Sequence, residues 1–162
     1  PSDPEDYPAI YAVADGIITK VTTYFEVTNA TETNYRYGLS LAFAQKEGND
    51  VTLDYSIEPM INPGDSSFYL PYILVTQGQE VSKGETIATF YTAPGNYDNP
   101  HIHFHLRVAG DSNFYAPEIF TQAVVDEFCA KWGDRGEDPG GSGNTMPASM
   151  GYLLESNQTL FP

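Results

Sequence analysis

The sequence predicts a mainly β domain followed by a C-terminal helix, and three observations carry that expectation. From residue 10 to 108 the apolar residues come in short runs, often alternating with polar ones and separated by Gly, Asn, Asp and Pro. From Pro117 to Trp132 the period changes, with Phe120, Val124 and Phe128 recurring every four residues. Charged residues make up only 18% of the 162, against 12 tyrosines and nine phenylalanines, so the chain has enough apolar surface for one core. The domain is expected to span 1–116, with 117–162 as a helical and glycine-rich extension packed on it.

Taken in order, IYAVADGIITKV (Ile10 to Val21) reads as a strand, a turn at Asp15-Gly16 and a second strand. Tyr24 to Thr28 keeps a β-like composition. Tyr35 to Ala44 and Val51 to Ile57 read as strands that can pair as a hairpin around Glu47-Gly48-Asn49-Asp50. Asn62-Pro63-Gly64-Asp65 is a further turn. Ser66 to Val75 is aromatic and is expected to be extended, with Pro71 limiting it to an edge or loop. Glycines 78 and 84 bracket a short strand at Glu80 to Ser82, and a longer one follows at Thr86 to Tyr91. His101 to Val108 alternates with period two. In the extension, Lys131 and Gly133 suit the end of a helix. Cys129 lies within that helix and reads as a small buried hydrophobe or a reactive thiol.

The formal charge of −15 disfavours nucleic acid and anionic lipid as partners. No run of about 18 apolar residues occurs, so no membrane insertion is expected. One cysteine excludes an intrachain disulfide framework. No signal peptide is expected, and the abrupt PSDPEDYPAI start suggests a processed end. Asp134 and Asp138 lack the spacing of a calcium loop.

All three histidines fall in NPHIHFHLR, residues 99 to 107. In a strand, His101, His103, His105 and Arg107 share one face, and Ile102, Phe104 and Leu106 point oppositely into a core. Imidazoles on one face can converge on zinc. Alternate positions lie nearly 7 Å apart, so two neighbours reach one ion more readily than three. The remaining ligand must then be an Asp, a Glu or Cys129. The competing possibility is a polar strand face whose histidines hydrogen-bond to tyrosines or carboxylates.

Pro100-His101-Ile102-His103-Phe104 with Leu106-Arg107 resembles the PHLHFEVR strand of the LytM-like, lysostaphin-type zinc metallopeptidases. Residues 10–21 resemble that family's YAVADGVVTKV segment, Gln77 to Ile87 its GQTVKKGDVIG segment, and Thr52 to Ile57 falls where it carries TLYAHL. The resemblance covers about 10–108. It implies an antiparallel β-sheet groove of the duplicated hybrid motif type and cleavage of cell-wall peptides outside the cell or in the periplasm. It assigns zinc to His103 and acid/base work to His101, with His105 where the family has Glu. It also marks two departures. Ser56 replaces the histidine of TLYAHL, and no upstream His and Asp pair is present. Serine cannot carry a proton near neutral pH as imidazole does.

Two functions from this pattern remain open. One is a non-catalytic domain without zinc that binds a peptidoglycan fragment or envelope protein in its groove, with Tyr55, Tyr97 and Arg107 as candidate contacts. The other is a zinc-dependent endopeptidase of peptidoglycan with an atypical or truncated metal site that uses His103, with His105 as a further candidate ligand. A third expectation, a structural or assembly domain, requires a broad apolar patch or a stable oligomer.

Overall fold

The computed structural model describes residues 3–28, 32–95 and 100–110. The expected helix over 117–132, Cys129 and Tyr97 lie outside the described residues. Among the described residues there are seven strands: β1 (Ala9–Tyr11), β2 (Gly16–Thr28), β3 (Thr33–Lys46), β4 (Asn49–Ile61), β5 (Glu80–Val81), β6 (Thr86–Thr89) and β7 (His101–Val108). They form a five-stranded antiparallel sheet of order β5-β2-β3-β4-β7 and a two-stranded sheet of β1 and β6. Among the described residues no helix is long and apolar enough to cross a membrane.

The β3–β4 hairpin is the spine of the larger sheet. The expected four-residue turn is tighter than that: Lys46 already pairs with Asn49, leaving Glu47 and Gly48 as the loop. Both have positive φ, 52° and 80°, the two-residue geometry whose twist matches that of the strands. The alternation then sorts side chains by face. Tyr37, Leu39 and Leu41 on β3 and Leu53, Tyr55 and Ile57 on β4 are buried on the apolar face. Ser40 on β3 and Thr52, Asp54, Ser56 and Glu58 on β4 take the other. Gly38 sits opposite Ser56, where an added Cβ would lie 2.3 Å from the Tyr55 carbonyl oxygen, so no larger residue fits without moving β4.

One irregularity shapes the functional end of this hairpin. Tyr37 pairs with Ile57 but Tyr35 pairs with Ile61, so β4 carries two extra residues there. The chain absorbs them at Pro59-Met60, with Met60 at φ 57°. Such bulges bend a strand and re-aim its neighbours. Here the bulge lies between Glu58 and the end of the strand, beside Arg36.

Ser66 to Val75 is not extended. It forms turns and a short 3-10 segment, Leu70–Tyr72, with Pro71 in its first turn, where a missing N–H costs nothing. The reason is aromatic packing. Tyr69 and Tyr72 turn inward onto Tyr37, with the Tyr37 and Tyr69 rings stacked at 4.7 Å. The Tyr37 hydroxyl donates to the Thr89 carbonyl (2.5 Å) and accepts from the Tyr91 amide (3.0 Å), tying β3 to β6 and the segment after it.

Burial in this cluster raises the phenols of Tyr37 and Tyr69 above the ordinary tyrosine range and pushes Tyr55 up to about 12. An unfolded tyrosine loses its proton near pH 10. Above that pH the unfolded chain therefore binds fewer protons than the native one, and stability falls. We expect urea stability to drop steeply as the pH rises beyond about 10. Tyr69→Phe should make the drop shallower. A stability that is level through the tyrosine range contradicts this account.

Candidate metal centre

β7 lies along β4 in antiparallel register, with Glu58 opposite His101, Ser56 opposite His103, Asp54 opposite His105 and Thr52 opposite Arg107. Directly opposed residues share a face, so the histidine row stands against a row of carboxylates and hydroxyls. The apolar side of β7 is only partly a core: Leu106 is buried, but Phe104 is 50% exposed, with its ring edge-on to Tyr55. Among the described residues no strand lies beyond β7, which explains why its outer hydrophobe is half covered.

At the Glu58 end the side chains converge. The Nε2 atoms of His101 and His103 are 2.8 Å apart. Glu58 Oε2 lies 3.6 Å from His101 Nε2, and Oε1 lies 3.7 Å from His103 Nε2. All three residues place a donor atom within 4.8 Å of the others. For zinc bonds of about 2.0–2.1 Å, adjacent ligand atoms of a tetrahedron stand about 3.4 Å apart; the two histidine–carboxylate approaches, each to a different oxygen, are near that spacing, and the two imidazoles stand closer, at hydrogen-bond distance. The carboxylate forms the floor at 5% exposure, and the two imidazoles rise to the rim. The donor set of two neutral nitrogens and one carboxylate oxygen suits zinc.

The carboxylate is held from behind. Ser56 Oγ donates to Glu58 Oε1 at 3.2 Å, and Arg36 Nη1 donates to the same oxygen. Arg36 is itself fixed over the Phe25 ring, 3.9 Å from its centroid, across the β2–β3 pair. Oε1 thus carries both structural partners as well as the approach to His103, and Oε2 faces His101. Partners of this kind fix a ligand's orientation and tune the metal it holds.

The other candidates are placed differently. His105 is outside the donor triangle, its ring 5.7 Å from that of His103. Burial lowers its pKa below the ordinary imidazole range, with His103 adding to the effect, which favours the neutral ring. Ser56 is on the metal face, as a carboxylate-orienting hydroxyl. Arg107 is also on that face, its Nε 2.8 Å from Asp54 Oδ2. Tyr55 is not: it is 1% exposed on the apolar side, its hydroxyl donating to the Tyr11 carbonyl and accepting from the Val13 amide. It therefore cannot line a groove on the histidine face.

Comparisons of the chain with known protein families, with curated proteins and with solved structures find no match.

Proposed function

We propose that this chain is a zinc-binding domain of the lysostaphin type whose site catalyses metal-assisted hydrolysis of an amide bond. The observation that carries the reading is the His101–His103–Glu58 triangle at the rim of an otherwise polar sheet face. Three protein ligands and one open position distinguish catalytic zinc sites from closed structural ones. Zinc held there supplies Lewis-acid polarisation of the bond to be cleaved. The protein's own residues do the rest. Ser56 and Arg36 hold the Glu58 carboxylate, and His105 offers a neutral imidazole beside His103 to accept a proton. The motif resemblance supports cell-wall peptide as the substrate and an extracellular or periplasmic location.

A second reading is a domain that has kept the face and lost the chemistry, binding cell-wall peptide, glycan or an envelope protein. Ser56 favours it, because a hydroxyl stands where the resemblance places a histidine. The two readings separate in one experiment. The purified chain is expected to retain one zinc per molecule after dialysis, release it to a chelator, and cleave glycyl-rich or stem peptides only when loaded. Zinc without cleavage, together with co-sedimentation on cell walls, selects the second reading. A chain that takes up no zinc refutes the first.

A further inference from the structure

The histidine face continues beyond the metal triangle into a second polar site. Arg107 and Thr52, directly opposed on β7 and β4, line a pocket of about 250 Å³ together with Thr19, Lys20, Ser40 and Asp50. That volume is below the roughly 300 Å³ at which drug-sized sites begin, so the pocket suits a group the size of one amino acid. Among the described residues its lining holds three hydroxyls, two cations and a carboxylate, with Ala109 and Gly110 and no aromatic ring. The chain has only seven Lys and Arg against 22 acidic residues, yet Lys20, Arg36 and Arg107 share this face.

Hydrogen bonding at the site is incomplete. Thr52 is 6% exposed, and its Oγ1 has no hydrogen-bond partner among the described residues. The same holds for Asp54 Oδ1, while Oδ2 of that carboxylate lies 2.8 Å from Arg107 Nε. An acceptor and a hydroxyl capable of both roles thus stand unsatisfied among the described residues at neighbouring positions of β4, and such groups are costly to bury. A bare anion in the pocket would meet Asp50 as well as the cations. A bare cation would meet Lys20 and Arg107. A group that carries both charges finds complements to each.

We propose that this pocket binds the zwitterionic head of an amino acid, its carboxylate toward Lys20 and Arg107 and its ammonium toward Asp50, with the Thr52 hydroxyl bonded to it. The pocket stands on its own observations. Only its use as a substrate subsite rests on the hydrolase reading: Arg107 is four residues from His103 on one strand, about 13 Å, so an extended peptide of about four residues spans the two.

The test uses the metal-free full chain, so a failure of the zinc reading leaves it intact. Glycine is titrated while amide resonances around Thr52 and Arg107 are followed by NMR, with acetate and methylamine as single-charge controls. Glycine should saturate these shifts and bind at least ~10-fold more tightly than either control. Thr52→Val and, at an exposed position that spares the fold, Lys20→Gln should each weaken glycine several-fold. Acetate or methylamine binding as tightly as glycine overturns the proposal, as does the absence of a saturable shift with glycine.

Discussion

His103→Ala is expected to abolish stoichiometric zinc binding while leaving the fold unchanged. The wild-type triangle supplies three donors, and the substitution leaves His101 and Glu58. Loss of an outer-shell partner alone typically costs 10- to 100-fold in metal affinity, so loss of a direct ligand should exceed about 100-fold. The structural cost is small, because the His103 side chain is 48% exposed and sits on the polar face. His105→Ala is the matched control. It removes the neighbouring imidazole on the same face, but that ring is outside the donor triangle. Competition against a chromophoric chelator gives the affinities, and near-ultraviolet circular dichroism reports packing. Equal zinc affinity in wild type and His103→Ala would falsify the site. Equal losses in the two variants would show that the metal sits further along β7, between His103 and His105.

How far the site was legible in the sequence depends on strand ends. Period-two alternation in HIHFHLRV placed the histidines on one face without any tertiary information, and the requirement for an Asp, Glu or Cys ligand followed from there being no fourth histidine. Glu58 was not identified because Val51 to Ile57 reads as a complete strand, which stops one residue short of it. The alternation Thr52, Asp54, Ser56, Glu58 was present as a signal. Pro59 normally argues against a strand interior, and here it lies in a bulge that the linear pattern does not reveal. Arg36 was invisible for the same reason, since its reach to Glu58 depends on a register shift between Tyr35 and Tyr37. Ser56 shows a different limit: the residue type suggested a lost function, and only its neighbours show what the hydroxyl does. At Ser66 to Val75 the loop that Pro71 signals is present and the extended backbone is not, because β-like aromatic composition reflects burial, and a short turn buries Tyr69 and Tyr72 as well as a strand does.

Arg36→Met should destabilise the metal-free protein strongly and the zinc-loaded protein more strongly still. Glu58 is 5% exposed, and the Arg36 guanidinium pairs with its carboxylate. Removing one partner of a buried pair leaves the other charge desolvated, which costs about 3–5 kcal/mol. The lower end, about 3 kcal/mol, applies here because the Arg36 side chain is 25% exposed and part of its charge is already screened by solvent. Methionine keeps an apolar stem for the Phe25 ring to pack on, so the loss reports mainly the missing charge. Arg36 also holds the Glu58 carboxylate beside the histidines, and losing such a partner typically costs about 10- to 100-fold in metal affinity, so the variant gains less stability from zinc than wild type does. Urea unfolding of wild type and variant, each with chelator and with excess zinc, gives the four free energies of a cycle. The gap between the two proteins should widen by about 1.4–2.8 kcal/mol on adding excess zinc. A gap of the same size in both conditions would mean that the metal does not touch Glu58, and that the Arg36–Glu58 pair serves the hairpin bulge alone.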